Sequence, residues 1–111
     1  MLEAVASSLH ICSVVVEGVD RPYAVLVPER WQPGGPAIVF LHGAGECGAD
    51  GLKPLTEGLP RAAMKQPNDW PFLVVIPQKA DVRLEWFDER VYLTAVLAAA
   101  ESEFATDPER R

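Results

Sequence analysis

His42, Gly43, Ala44, Gly45, Glu46, Cys47 and Gly48 bring an imidazole, a carboxylate, a thiol and three glycines into one short stretch. Glycine lets a backbone turn sharply and leaves its N–H groups without side-chain cover. Bare amides of this kind can stabilise the oxyanion of a tetrahedral intermediate, an effect of about 3–4 kcal/mol per donor. A phosphate cradle or a plain tight turn would use the same residues. The Walker pattern is absent, because no Gly-Lys-Ser/Thr follows, and Gly43-Ala44-Gly45-Glu46-Cys47-Gly48 puts an acid where a phosphate would lie. Cys47 with His42 five residues earlier is a candidate thiol nucleophile and base. That chemistry needs a thiolate and a base held within hydrogen-bond reach, which the spacing alone does not fix. The same pair is too few ligands for zinc, so no metal is expected. Ser7, Ser8, Ser13 and Ser102 have no flanking glycines, and Asp81, Glu85, Asp88 and Glu89 read as a solvated loop and helix start.

The elements around the Gly-rich loop decide where it sits. Residues 37–41 are a continuous apolar run without alternation, the pattern of a strand buried on both faces of a parallel sheet, and residues 72–76 are a second. The roughly thirty residues between them suffice for one crossover of a βαβ unit. The helical part is expected over 55–65, interrupted by Gly58 and Pro60. In an open parallel sheet ligands bind beyond the carboxyl ends of the strands, where the 42–48 loop begins. Upstream, strands over 9–17 and 21–27 joined by a turn at 17–20 make a β-hairpin, placed at a sheet edge by Pro22 and Pro28. Trp31, in the Pro- and Gly-rich stretch 28–36, is expected to be a packing anchor. Downstream, residues 88–104 carry the strongest helical period, with Asp88 as the N-cap. Leu93, Val96, Leu97, Ala100 and Phe104 face inward, and Glu89, Arg90, Glu101 and Glu103 face water. The order of hairpin, buried strand, helix, buried strand and helix is that of an α/β sheet.

With these surroundings the match sharpens. Tyr23 to Pro28, Val39 to Glu46, Asp50-Gly51-Leu52, Gly58-Leu59-Pro60, Phe72 to Gln78 and Asp107 to Arg110 together resemble the phospholipase/carboxylesterase-like group of α/β-hydrolases. That group includes dienelactone-hydrolase-like and polyhydroxybutyrate-depolymerase-like esterases and proteins labelled predicted peptidases. The resemblance runs from about Ser13 onward. It implies that the loop after the third strand supplies an oxyanion-hole amide from Ala44, with Gly43 as neighbour. It further implies that His42 and Gly45 support the loop and that the Glu46 carboxylate braces it. His42 would be structural, because the catalytic histidine of this fold comes last in chain order. The implied substrate is a small carboxylic ester, with no cofactor. The nucleophile of such enzymes is a serine in a Gly-x-Ser-x-Gly elbow between strand and helix, and no such motif occurs in these 111 residues. The expectation is therefore a single partial domain over 1–111, the N-terminal half of an α/β-hydrolase fold. It is expected to be cut before the elbow, with residues 1–8 disordered, no catalytic residue of its own, and inactive alone. The alternative is a non-enzymatic interaction or complementation fragment that pairs, or self-associates, through an exposed sheet edge.

Composition sets the outer limits. Apolar residues make up 49 %, too many for a disordered chain. No stretch approaches the ~18 apolar residues of a membrane span. A net charge of −6 argues against nucleic acid and anionic lipid as partners. The start shows neither a basic nor an apolar segment of a secretory signal, so a cytoplasmic location with two free thiols, Cys12 and Cys47, is expected.

Overall fold

Glu17 and Gly18 take left-handed φ angles of 51° and 78°. They close a two-residue turn whose twist matches that of the strands it joins. These strands are β1 (Ser8–Val16) and β2 (Val19–Val27), paired antiparallel along their whole length from Val16 opposite Val19. Val19 and Asp20, expected in the turn, are already strand. The structure is a computed structural model that describes residues 8–56, 58–65 and 71–111. The disorder expected for 1–8 falls outside the described residues, apart from Ser8, which opens β1.

Two further strands, β3 (Ala37–Val39) and β4 (Leu73–Pro77), complete a four-stranded mixed sheet in the order β1-β2-β4-β3. β4 runs antiparallel to β2 and parallel to β3. The protein is therefore of mixed α/β architecture. The hairpin lies at the edge as expected, but β2 itself is interior. Pro22 is tolerated there because the β2–β4 ladder starts one residue later, at Tyr23 opposite Pro77.

Strand alternation divides the core in two. Tyr23, Val25, Leu73 and Val75 face α2 (Arg90–Phe104), where they meet Tyr92, Val96 and Ala100. Ala24, Leu26, Val74 and Ile76 face the other side, covered by Leu55 and Ala63 from a short 3-10 turn, Lys53–Thr56, and α1 (Gly58–Lys65). The helix expected over 55–65 is thus two pieces. Trp31 packs against the first cluster and donates its indole N–H to the Pro36 carbonyl at 2.8 Å.

Three expectations need correction. Double-sided burial belongs to β4, all five residues of which are buried. Ile38 and Val39 of β3 are only half-buried, because the outer edge of β3 has no partner among the described residues. The second helix is entered through a 3-10 turn, Trp86–Glu89. Asp88 there accepts the Glu85 N–H from inside the first turn rather than capping from outside. Glu89 is not on the wet side. It is 8 % exposed and pairs with Arg21 at 2.6 Å. No helix among the described residues is long and apolar enough to cross a membrane.

Candidate functional site

The loop after β3 leaves the sheet where the ladder runs out. Phe40 N–H makes the last bond across, to the Val75 carbonyl at 2.9 Å. Alternation along β4 turns the next nitrogen on that side to Pro77, which has no N–H to give. The chain is therefore free to depart at Leu41 and His42.

His42 is 4 % exposed and anchors the departure. Its Nε2 lies 2.9 Å from the Lys79 backbone nitrogen and its Nδ1 lies 2.6 Å from the Gly43 carbonyl oxygen. A backbone N–H can only donate, so Nε2 is the acceptor and the ring proton sits on Nδ1. Trp86 packs edge-on to the ring at 4.9 Å and donates its indole N–H to the His42 carbonyl at 3.1 Å. Both ring nitrogens are thus committed to backbone groups. No nitrogen remains to serve as a base for Cys47, which is a free thiol, as is Cys12.

Beyond His42, the segment Ala44–Glu46 forms one 3-10 turn with Gly43 extended before it. Glu46 reaches back so that its Oε1 accepts the Gly43 N–H at 3.1 Å, while its own N–H donates to the Gly43 carbonyl at 3.3 Å. The Gly43 amide, assigned to the oxyanion hole by the resemblance, is therefore occupied by a carboxylate in this conformation. The N–H groups of Ala44 and Gly45 make no hydrogen bond among the described residues, and both residues are exposed. In the exposed turn after Gly43 they are bare donors.

The far end of the loop is held by Gln78, which is fully buried. Its Oε1 accepts the Gly51 N–H at 2.6 Å, and its Nε2 donates to the Glu46 carbonyl at 2.9 Å and to Asp50 Oδ1 at 3.0 Å. Gly48 N–H donates to the Lys79 carbonyl at 3.0 Å. With φ at +150°, Gly48 brings its Cα so close that an added Cβ would stand 3.3 Å from Gln78 Nε2. Asp50 also accepts the Leu52 and Lys53 N–H groups. These backbone bonds, followed by the one from Gln78, hold its carboxyl below the usual range.

Gln78 is positioned in turn by its main chain. Its N–H donates to the Tyr92 hydroxyl at 2.9 Å, and that hydroxyl donates to the Pro22 carbonyl at 2.5 Å. Its carbonyl accepts from Arg21 at 3.2 Å, and the Arg21 guanidinium lies 3.9 Å above the Tyr92 ring. Buried Glu89 completes this group. Of the four acids expected in solvent, Asp81 pairs with Arg83 at 2.7 Å, whose hydrogen bonds pull its carboxyl down to about 2.

His42, Gly43, Ala44, Gly45 and Glu46 therefore form one clamped turn at the carboxyl end of the parallel pair β3/β4. Sequence reasoning singled out these five but not the clamp formed by Gln78, Lys79, Trp86 and Tyr92. Gln78 entered only as the last residue of the Phe72–Gln78 motif, with no role attached to it. Two clefts lie elsewhere. One, of about 620 Å³, is lined by residues of the hairpin and α2; the other, of about 370 Å³, lies on the outer face of α2. No cluster of metal-ligating side chains occurs among the described residues. Searches of protein-family models, of curated proteins and of solved structures found no match.

Proposed function

We propose that this chain is the N-terminal portion of a serine ester hydrolase of the α/β-hydrolase fold, and that its loop after β3 supplies the oxyanion-hole amide from Ala44. One observation carries the reading. A loop held rigidly by His42, Glu46 and Gln78 leaves the Ala44 and Gly45 N–H groups bare, at the carboxyl end of a parallel strand pair. In α/β-hydrolases one oxyanion donor comes from the loop between the third strand and the following helix, the other from the residue after the nucleophile. The outer edge of β3, unpaired among the described residues, supports the same reading, since an elbow strand paired there would end beside this loop.

In that mechanism the serine Oγ attacks the ester carbonyl while a histidine takes its proton. Negative charge collects on the former carbonyl oxygen, and the bare amides stabilise it before the alcohol leaves. A loop already fixed by buried hydrogen bonds undergoes no reorganisation at that moment. This chain's own residues hold the donor; the nucleophile, acid and base belong to a continuation. The substrate class is a small carboxylic ester, no cofactor takes part, and the location is cytoplasmic.

The test is to read the coding frame beyond Arg111 and to assay both forms on p-nitrophenyl acetate. The expected result is a Gly-x-Ser-x-Gly elbow within about twenty residues, with turnover by the continuous product and none by residues 1–111. A frame without the elbow would favour the alternative, a non-enzymatic fragment that pairs through the edge of β3.

A further inference from the structure

The β3 edge is three residues long, whereas the opposite edge of the sheet, β1, is a nine-residue strand whose outer side has no partner among the described residues. Ser8 to Val16 contains no charged residue and no proline in a chain of net charge −6. Natural edge strands normally carry such blocking residues. Leu9, Ile11 and Val15 are 41 %, 50 % and 67 % exposed on one face of the edge.

The geometry points to a second copy of this chain as the partner, with β1 pairing antiparallel to β1 of the other copy about a two-fold axis at Cys12. The hydrogen-bond alternation selects that register. A two-residue turn makes Val16 and Val19 a hydrogen-bonded pair, so Val14, Cys12, His10 and Ser8 also direct their backbone groups to β2. Leu9, Ile11, Ser13 and Val15 therefore direct theirs outward. An axis at Cys12 sets Leu9 opposite Val15 and Ile11 opposite Ser13, so each outward-facing residue meets another, and the whole nine-residue edge is used. An axis at any other residue, odd or even, would leave part of the nine-residue edge unpaired.

The contact is self-complementary, as a two-fold interface must be. Two uncharged edges also meet without the repulsion that the net charge would otherwise impose. The result is one continuous sheet with four strands from each copy. At its centre, Cys12 faces Cys12 across a non-hydrogen-bonded pair with Cα atoms ~4.5 Å apart, within the range that a disulfide spans. The larger cleft opens at the same place, lined by Ile11, Cys12 and Ser13 with Ala99 and Glu103 of α2, so α2 does not close over the edge there.

The centre of β1 makes the inference testable. The full chain carrying Cys47→Ala is examined by sedimentation velocity over a concentration series and by non-reducing electrophoresis after diamide. Diamide accepts the two electrons and two protons released as two thiols become one disulfide. The expected results are a monomer–dimer equilibrium and a covalent dimer that disappears in Cys12→Ser, whereas the non-covalent dimer persists in that variant. Val15→Lys, at an exposed position, weakens the dimer at least tenfold with an unchanged circular dichroism spectrum. Ser13→Pro removes an outward-facing donor that β2 does not use and has the same effect. A chain that stays monomeric at its solubility limit overturns the inference. A dimer indifferent to Val15→Lys, or one that gives no Cys12 cross-link, does so as well.

Discussion

His42 shows how a residue type suited to chemistry is put to a mechanical use. With Nε2 accepting the Lys79 N–H and Nδ1 donating to Gly43, the ring joins the end of β4 to the start of the loop. The imidazole nitrogen chemical shifts should therefore report the neutral Nδ1–H tautomer, and an Nε2–H signature would contradict this geometry. Gln78 does similar work at the other end of the loop. Gln78→Ala leaves the Gly51 N–H and the Glu46 carbonyl without partners. With about 1–3 kcal/mol for each group stranded, a loss of about 2–6 kcal/mol in denaturant unfolding is expected, with faster exchange of the Gly51 amide. The five loop residues were legible because glycine spacing after an apolar run is a local pattern. The role of Gln78 was not, because its partners lie 27 to 32 residues away in sequence and only the sheet brings them near.

At the scale of elements, sequence periods gave the existence and order of the strands and helices, while their burial depended on neighbours. The inward face of α2 is centred on Tyr92, Val96 and Ala100; of the expected stripe Val96 and Ala100 are buried, while Leu93, Leu97 and Phe104 are only half-buried. The Tyr92 ring fills the core, and its hydroxyl joins Pro22 of β2 to Gln78, directly after β4. Glu89 reads as solvent-facing on a helical wheel, because no wheel contains Arg21, which approaches from β2. Removing one partner of a buried ion pair strands the other. Glu89→Ala should therefore cost about 3–5 kcal/mol in thermal or denaturant unfolding, and a cost below 1 kcal/mol would mean that Arg21 finds solvent instead. The run at 37–41 looked like a central strand because its composition suits burial. β3 is at an edge because nothing among the described residues pairs with its outer side.

For the whole molecule, the buried tyrosine hydroxyls and the half-buried Cys12 thiol set an alkaline limit to stability. Burial raises the pKa of Tyr23, with Cys12 and Glu103 adding to it, and burial likewise raises those of Tyr92 and Cys12. Each group holds its proton more tightly folded than unfolded. The stability this provides is complete below the ordinary thiol and phenol range and is lost as the pH rises past about 10. Circular dichroism and tyrosinate absorbance should accordingly change together above that pH, whereas early titration of Tyr23 and Tyr92 in a native spectrum would contradict their burial. The larger question is whether the clamped loop serves ester hydrolysis, and the most direct measurement concerns Ala44. Proline at the first position of the 3-10 turn keeps the backbone shape but removes the N–H. In the protein expressed from the frame continued through Arg111, kcat for p-nitrophenyl acetate should fall about 10²–10³-fold in Ala44→Pro with KM little changed, while Ala44→Gly retains activity. An Ala44→Pro enzyme that turns over at the parent rate would contradict the oxyanion assignment.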